Sequence, residues 1–465
     1  MRRHLLGAVA FASVLAVPAA SAEVAVGPEA RSGLAVTLYR DLAFVRDLRR
    51  ATLAQGANEL AFPGVSRLLQ PETVQLGAPG ARVVERRFEA DVLTPARLAA
   101  AAVGQRVRVV RTNPQTGAET IELAEILAAE DGVVLRIGDR VETAHPGRLV
   151  FDALPPGVRA RPTLTAVVES LRAGPAELEL GYLTGGLSWR ADYVASLDAS
   201  GRRMALELWA TVANDSGADY PGARLALIAG EVARVQPPVT PFARGVVAMA
   251  AEAAPGVVEA PAGDYRRFTI DRPVDLVRGA HTQVALLSAA EVPVERLYRL
   301  AGTPAMTRPA PSPAPQPVEV RIAFANSEAG GLGLPLPAGT LRVYSAGADA
   351  AFLGEAPLPA TPRDERAELL IGRAFDVTAR RSVTDYREEG PRNALTIETA
   401  HRIVLSNAKA EAVTVEVVET MPGEHRILEE SQRREALSAL QYLWRVAVPA
   451  GGSATLTYRV RIERR

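Results

Sequence analysis

The chain has 465 residues, no cysteine, and 53 basic against 53 acidic residues. Disulfides and thiol chemistry are therefore excluded, and the balanced charge gives no electrostatic basis for binding nucleic acid or an anionic surface. The length is enough for roughly two to four domains stabilised by burial alone.

The N-terminus opens with Arg2 and Arg3, continues as an apolar run from Leu5 to Val17, and reaches the small-residue triplet Ala20-Ser21-Ala22. These are the three parts of a secretory signal peptide, with cleavage expected after Ala22. The run is too short to cross about 30 Å of hydrocarbon as a helix, and no cysteine follows it to carry a lipid. Residues 1–22 thus predict a periplasmic or secreted protein with no integral membrane span once the leader is removed. Lys409 is the only lysine, so arginine carries nearly all positive charge. Arg380-Arg381 and Arg433-Arg434 read as solvated charge rather than as anion sites.

Residues 23–103 read as an N-terminal β domain. Leu34, Val36 and Leu38 alternate onto one face, and Ala51 to Gly64 reads as strand, glycine-containing turn and strand. Leu93 to Val103 is the clearest short helix, with Pro95 near its start. Residues 104–160 change character: Val107 and Val109 alternate with arginines, and Asn113-Pro114, Thr116-Gly117 and Asp131-Gly132 mark turns. This pattern predicts a small barrel-like β module. Its segment ETIELAEILAAE (119–130) has helix-forming residues, but turn signals close it on both sides and favour strand.

Residues 161–465 form the largest predicted β unit. Leu178, Leu180, Tyr182 and Thr184 alternate before Gly185-Gly186, and Leu187, Trp189, Ala191, Tyr193 and Leu197 alternate after it. A two-residue Gly-Gly turn between alternating strands predicts a hairpin, with Tyr182 opposite Trp189. No helix follows to support a phosphate-cradling loop. Long loops are expected at 236–263 and 302–317, where prolines are too dense for a central strand. Both read as spacers, with docking of a partner as the alternative. Beyond them, 402–405, 413–418 and 442–448 are strand-like. Ala454, Leu456, Tyr458, Val460 and Ile462 share an apolar face at the C-terminus. Asparagine closes three strand-like runs, at 214, 326 and 407, in a pattern expected of shared hairpin chemistry.

YLTGGLSWRADYVASL (182–197) with the following ELWATVANDSGADYPGARLALIAGEVARV resembles the start of the bacterial domain of unknown function 4139 family. That family includes exported proteins described as mucoidy-inhibitor-like. LGLPLPAGTLRVYS (332–345), FLGEAPLPATPRDERAELLIGRAFDVTARR (352–381) and WRVAVPAGGSATLTYRVRI (444–462) continue the likeness in the right order. The segment before residue 80 is similar to the β domain that often precedes it. Many relatives then insert a long coiled coil, for which this chain has no sustained heptads. The resemblance implies a mainly β fold of several antiparallel sandwich or barrel-like modules with few short helices. It implies no chemistry.

The residues show no catalytic, cofactor-binding or metal-binding motif. His4, His145, His281, His401 and His425 lie far apart, with no HExxH or helical i, i+4 pair. No nucleophile elbow, Walker loop or dinucleotide loop is present, and Gly330-Gly-Leu-Gly333 reads as a turn into a strand. Asp364-Glu365, between Arg363 and Arg366, reads as an exposed charged turn rather than an acid–base pair. Trp189 and Trp444 fall on core faces, and Trp209 falls on the opposite one. The leading reading is an exported, non-enzymatic β protein that acts through an envelope protein or glycan partner. The alternatives are an envelope hydrolase with two buried, unpaired carboxylates in a cleft, and a carbohydrate-binding module with a flat aromatic patch.

Overall fold

A computed structural model describes residues 23–90, 93–143, 147–155, 158–230, 257–262, 265–309, 314–391 and 395–464. The signal peptide expected at 1–22, most of the loop expected at 236–263 and His145 lie outside the described residues. The protein is mainly β, and Pro95–Ala101 is its one α-helix among the described residues. Thr94 caps that helix, its side chain accepting from the Arg97 amide, and Pro95 occupies the first turn, where no backbone donor is needed.

Five sheets surround three hydrophobic cores. The first core is filled by a four-stranded sheet containing Gly56–Pro63, Thr163–Ser170 and the edge strand Ala81–Glu89, together with two larger sheets. One of these holds Arg31–Leu38, Ala43–Leu53, Gly174–Thr184 and Tyr220–Ala229. The other runs His281–Pro293, Arg203–Asn214, Leu187–Leu197, Gly339–Ser345, Phe352–Leu358. Alternation supplies the core as the sequence requires: Leu34, Val36 and Leu38 are all buried.

The segment after the helix forms its own five-stranded antiparallel sheet around Val107, Val109, Ile126 and Leu135. Glu119–Ala128 is a strand there, so the turns on either side outweigh its helix-forming residues. The second large core lies inside a nine-stranded sheet built from Glu295–Gly302, Pro315–Ala325, Arg366–Glu389, Leu395–Asn407, Val413–Thr420, Glu424–Glu430, Gln441–Val448 and Ser453–Arg464, with the two-residue strand Glu435–Ala436.

The hairpin expected at Gly185-Gly186 is not formed. Gly174–Thr184 pairs with Ala43–Leu53, placing Tyr182 opposite Val45. Leu187–Leu197 pairs with Arg203–Asn214, placing Trp189 opposite Val212. The glycines instead carry the chain from one large sheet to the other. Asp215 donates its amide to the Gly186 carbonyl at 2.6 Å, and Gly185 donates to the Leu68 carbonyl at 3.2 Å. Alternation has the same period whether consecutive strands pair or part company, so the apolar pattern alone does not separate the two outcomes.

The asparagine echo is also more than hairpin chemistry. Asn214, Asn326 and Asn407 are each at most 2% exposed. The Asn214 amide donates to the Ala218 and Leu276 carbonyls, and its oxygen accepts from the Ser216 amide. Asn407 repeats this at the same spacing, donating to the Glu411 carbonyl and accepting from the Lys409 amide. Asn326 donates to the Leu334, Thr361 and Pro362 carbonyls. In each case the strand before the asparagine and the next strand of the chain are not neighbours, so the side chain satisfies a crossing loop whose backbone has no ladder.

The proline-rich spacer departs from expectation as well. Pro315 and Pro317 begin the strand Pro315–Ala325, a central member of its sheet. Proline is tolerated because residues 315–317 pair on one side only, with Thr378–Arg380, and a register shift follows Pro317. Upstream, Pro304 is buried and Met306 packs on the second core. Residues 303–308 are seated on the protein.

Candidate functional site

Two features stand out, a polar end to the second core and a surface groove beside the first. The polar end grows out of ordinary alternation. Val413, Val415 and Val417 face inward, and the next inward position is Glu419. Leu405 and Ile403 are followed by His401 and Thr399, Val377 and Ala379 by Arg381, and Leu456 by Tyr458. Tyr298 and Leu300 are followed by Gly302, which pairs in register with Glu419. Five strands of this core thus interrupt an aliphatic stripe with a polar side chain or with glycine.

Glu419 is fully buried, and His401, Tyr458 and Thr399 are at most 2% exposed. Arg381 crosses over Gly302 to donate from Nη1 to Glu419 Oε2 at 2.9 Å. A Cβ at residue 302 would lie 2.5 Å from that nitrogen, so glycine lets the guanidinium lie directly on the strand. His401 stands opposite Tyr458 across the ladder, their rings stacked at 4.9 Å, and Tyr458 stacks on Trp444 at 5.1 Å. His401 Nε2 lies 2.8 Å from Thr399 Oγ1, which reaches Met306 Sδ at 3.5 Å.

Burial pushes the Glu419 carboxyl up to about 7, against the pull of Arg381. Burial, then the Arg381 charge, pushes the His401 imidazole down to about 4. Burial also raises the Tyr458 phenol. The two titrations near neutrality act on stability with opposite signs. Glu419 favours the folded state most below its ordinary value of 4.5, and that contribution is lost as pH rises through about 7. His401 contributes most above 6.5, and its contribution is lost as pH falls through about 4. Each therefore masks the other between 4.5 and 6.5. Glu419→Gln should unmask His401. Its stability relative to the parent should climb by roughly 3 kcal/mol from acid to neutral pH in urea titrations. A pH-independent difference would show that Glu419 titrates like an ordinary carboxylate.

The other residues singled out by sequence separate cleanly. Trp189 and Trp444 are buried, donating to the Ile228 carbonyl and to Glu430. Trp209 is half-buried on the outer face of its sheet and donates to Glu207. Asp364 is an exposed turn residue at φ 63°, 3.6 Å from Arg363. His281 is exposed, and His425 contacts the Gly423 carbonyl and the Tyr442 hydroxyl. No group of three potential metal ligands forms among the described residues. The expectation of solvated arginines fails at Arg381, whose side chain is only 10% exposed. Asp47, Asp192, Glu416 and Glu419 are the buried carboxylates among the described residues, and each is paired with arginine.

The groove has a volume of 790 Å³ and lies on the outer side of the sheet containing Ala43–Leu53 and Gly174–Thr184. Phe44, Leu48 and Leu76 contribute apolar surface, and Val83 and Val84 line the opposite wall. Gly181 lets the Phe44 ring lie close, since a Cβ there would meet Phe44 Cζ at 3.0 Å. Two strand edges border the groove: Gln75–Gly77 ends one sheet and Ala81–Glu89 ends another.

Packed antiparallel sheets, sheet-crossing asparagines and an absence of cysteine define a mainly β protein of several sandwich-like modules. The family model for the domain of unknown function DUF4139 matches residues 178–464, and the chain belongs to that family. A search of curated proteins finds no match. The matched span includes the Gly-Gly crossing, all three asparagines and the polar end of the second core.

Proposed function

We propose that this protein is exported and works by binding, taking an extended segment of an envelope partner into the groove between Gln75–Gly77 and Ala81–Glu89. The observation that carries this reading is the meeting of two sheet-end strands at one groove, whose lining mixes Phe44, Leu48 and Leu76 with Glu85, Arg86, Glu177 and Glu179. Free edges present backbone donors and acceptors that another strand satisfies, while neighbouring pockets select its side chains. Export rests on the signal-like residues 1–22, and mass spectrometry of the mature protein should find Glu23 at its N-terminus. A retained Met1 would remove the envelope from the account.

A second reading, an envelope hydrolase, draws support from one observation: the Glu419 carboxyl is poised near neutrality, as a general acid needs to be. Its complete burial opposes access by substrate. Screening glycan, peptide and ester substrates decides between the readings. Turnover lost in Glu419→Gln, with the fold intact, would establish the enzyme.

A further inference from the structure

The polar end of the second core holds more hydrogen-bonding capacity than its own residues use. Arg381 Nε and Nη2 and His401 Nδ1 are buried without a hydrogen-bond partner, and the Tyr458 hydroxyl, though it interacts with Glu419, makes no bond of good geometry. Glu419 Oε1 lies 2.8 Å from Arg381 Nη1 as an ion pair, but it too makes no hydrogen bond. Buried polar groups in folded proteins are nearly always satisfied, so several unsatisfied ones in one cluster require an explanation.

The identity of the free atoms narrows it. A guanidinium offers two coplanar N–H groups along its Nε–Nη2 edge, and this fork matches two oxygens of a carboxylate or phosphate. Glu419 engages only Nη1, leaving the fork unused. The charge balance points the same way. Burial drives the Glu419 carboxyl beside Arg381 toward its neutral form near pH 7. His401, held neutral until about 4, adds no positive charge of its own. A guanidinium that is nine-tenths buried and loses its counter-charge is costly unless another anion replaces it.

We propose that Arg381, Tyr458 and His401 form a binding site for a small oxyanion, taken up on the free Nε–Nη2 edge of the guanidinium beneath residues 303–308. The Tyr458 hydroxyl, beside Glu419, turns to the ion as a donor. Met306, in contact with Thr399, covers the His401 side of the cluster. Binding requires this covering segment to shift, because both fork nitrogens are buried.

The test is calorimetric titration of the full mature chain below neutral pH with acetate and, separately, inorganic phosphate, against sodium chloride at matched ionic strength. Saturable binding of acetate or phosphate, absent with chloride, is expected, and whichever ion binds identifies the carboxylate or phosphate class. Arg381→Lys keeps the charge and loses the fork, and should weaken binding by at least about tenfold. No saturable binding of either ion, or unchanged affinity in Arg381→Lys, would overturn the proposal. If that variant does not fold, the arginine Nε–H resonances of the parent decide. One strongly protected resonance should shift to saturation with the bound ion, and a spectrum without such a shift counts against the site.

Discussion

Asp47→Ala is expected to destabilise the protein by about 3–5 kcal/mol, because it leaves an uncompensated charge inside the first core. Asp47 is 1% exposed and Arg49 is fully buried. Asp47 accepts from Arg31 Nε and Nη2, both at 2.9 Å, and from Arg49 Nη2 at 2.8 Å. Arg49 Nη1 continues to the Val26 and Pro63 carbonyls at 2.7 and 3.0 Å, tying the N-terminal segment to the strand Gly56–Pro63. Removing the carboxylate strands Arg49 where neither water nor another acid reaches it. Replacing Arg31, Asp47 and Arg49 together by Met, Leu and Met should recover much of the loss, since apolar residues of similar size often substitute for buried ion pairs and triads. Urea denaturation of the two variants checks this. A single variant within about 1 kcal/mol of the parent would show that the pair is solvated.

Gly186→Ala should cost roughly 2–5 kcal/mol, while Gly185→Ala should cost under about 1 kcal/mol. Gly186 holds φ at +73°, and a Cβ there would lie 2.8 Å from Leu68 Cδ1 and 2.9 Å from the backbone of Asp215 and Ser216. Backbone atoms cannot yield as a flexible side chain does, so steric crowding adds to the left-handed strain. Gly185 lies outside the left-handed region and would meet only Leu68 Cβ, at 3.9 Å. A type I′ hairpin would need both glycines and a type II′ hairpin the first, whereas the sheet crossing needs only the second. Thermal melts of the two alanine variants therefore separate the two geometries, and equal losses would favour the hairpin.

Alternation made the faces of this fold legible from sequence, and it reached further than the reading of individual residues. The phase that buries Val45 also buries Asp47 and Arg49, and the phase of Val413, Val415 and Val417 continues to Glu419. Charged side chains are usually solvated, and that prior hid both clusters. The signal for them was an interrupted apolar stripe whose phase does not change. Strand partners were less legible. Gly185-Gly186 and the three asparagines stand at crossings between non-neighbouring strands, and such pairings depend on distant segments such as Ala43–Leu53. The groove was invisible for the same reason: its walls come from residues near 44, 76, 84 and 179.

Binding at the groove is tested most directly by placing a photo-crosslinking amino acid at Val84 in cells producing the protein. Val84 is 52% exposed on the groove wall, and Leu123, 65% exposed on the separate small module, serves as the control. The account predicts one dominant covalent adduct from position 84 and none from position 123, competed away when an added strand blocks the groove. The same adducts from both positions, or none from position 84, would contradict it.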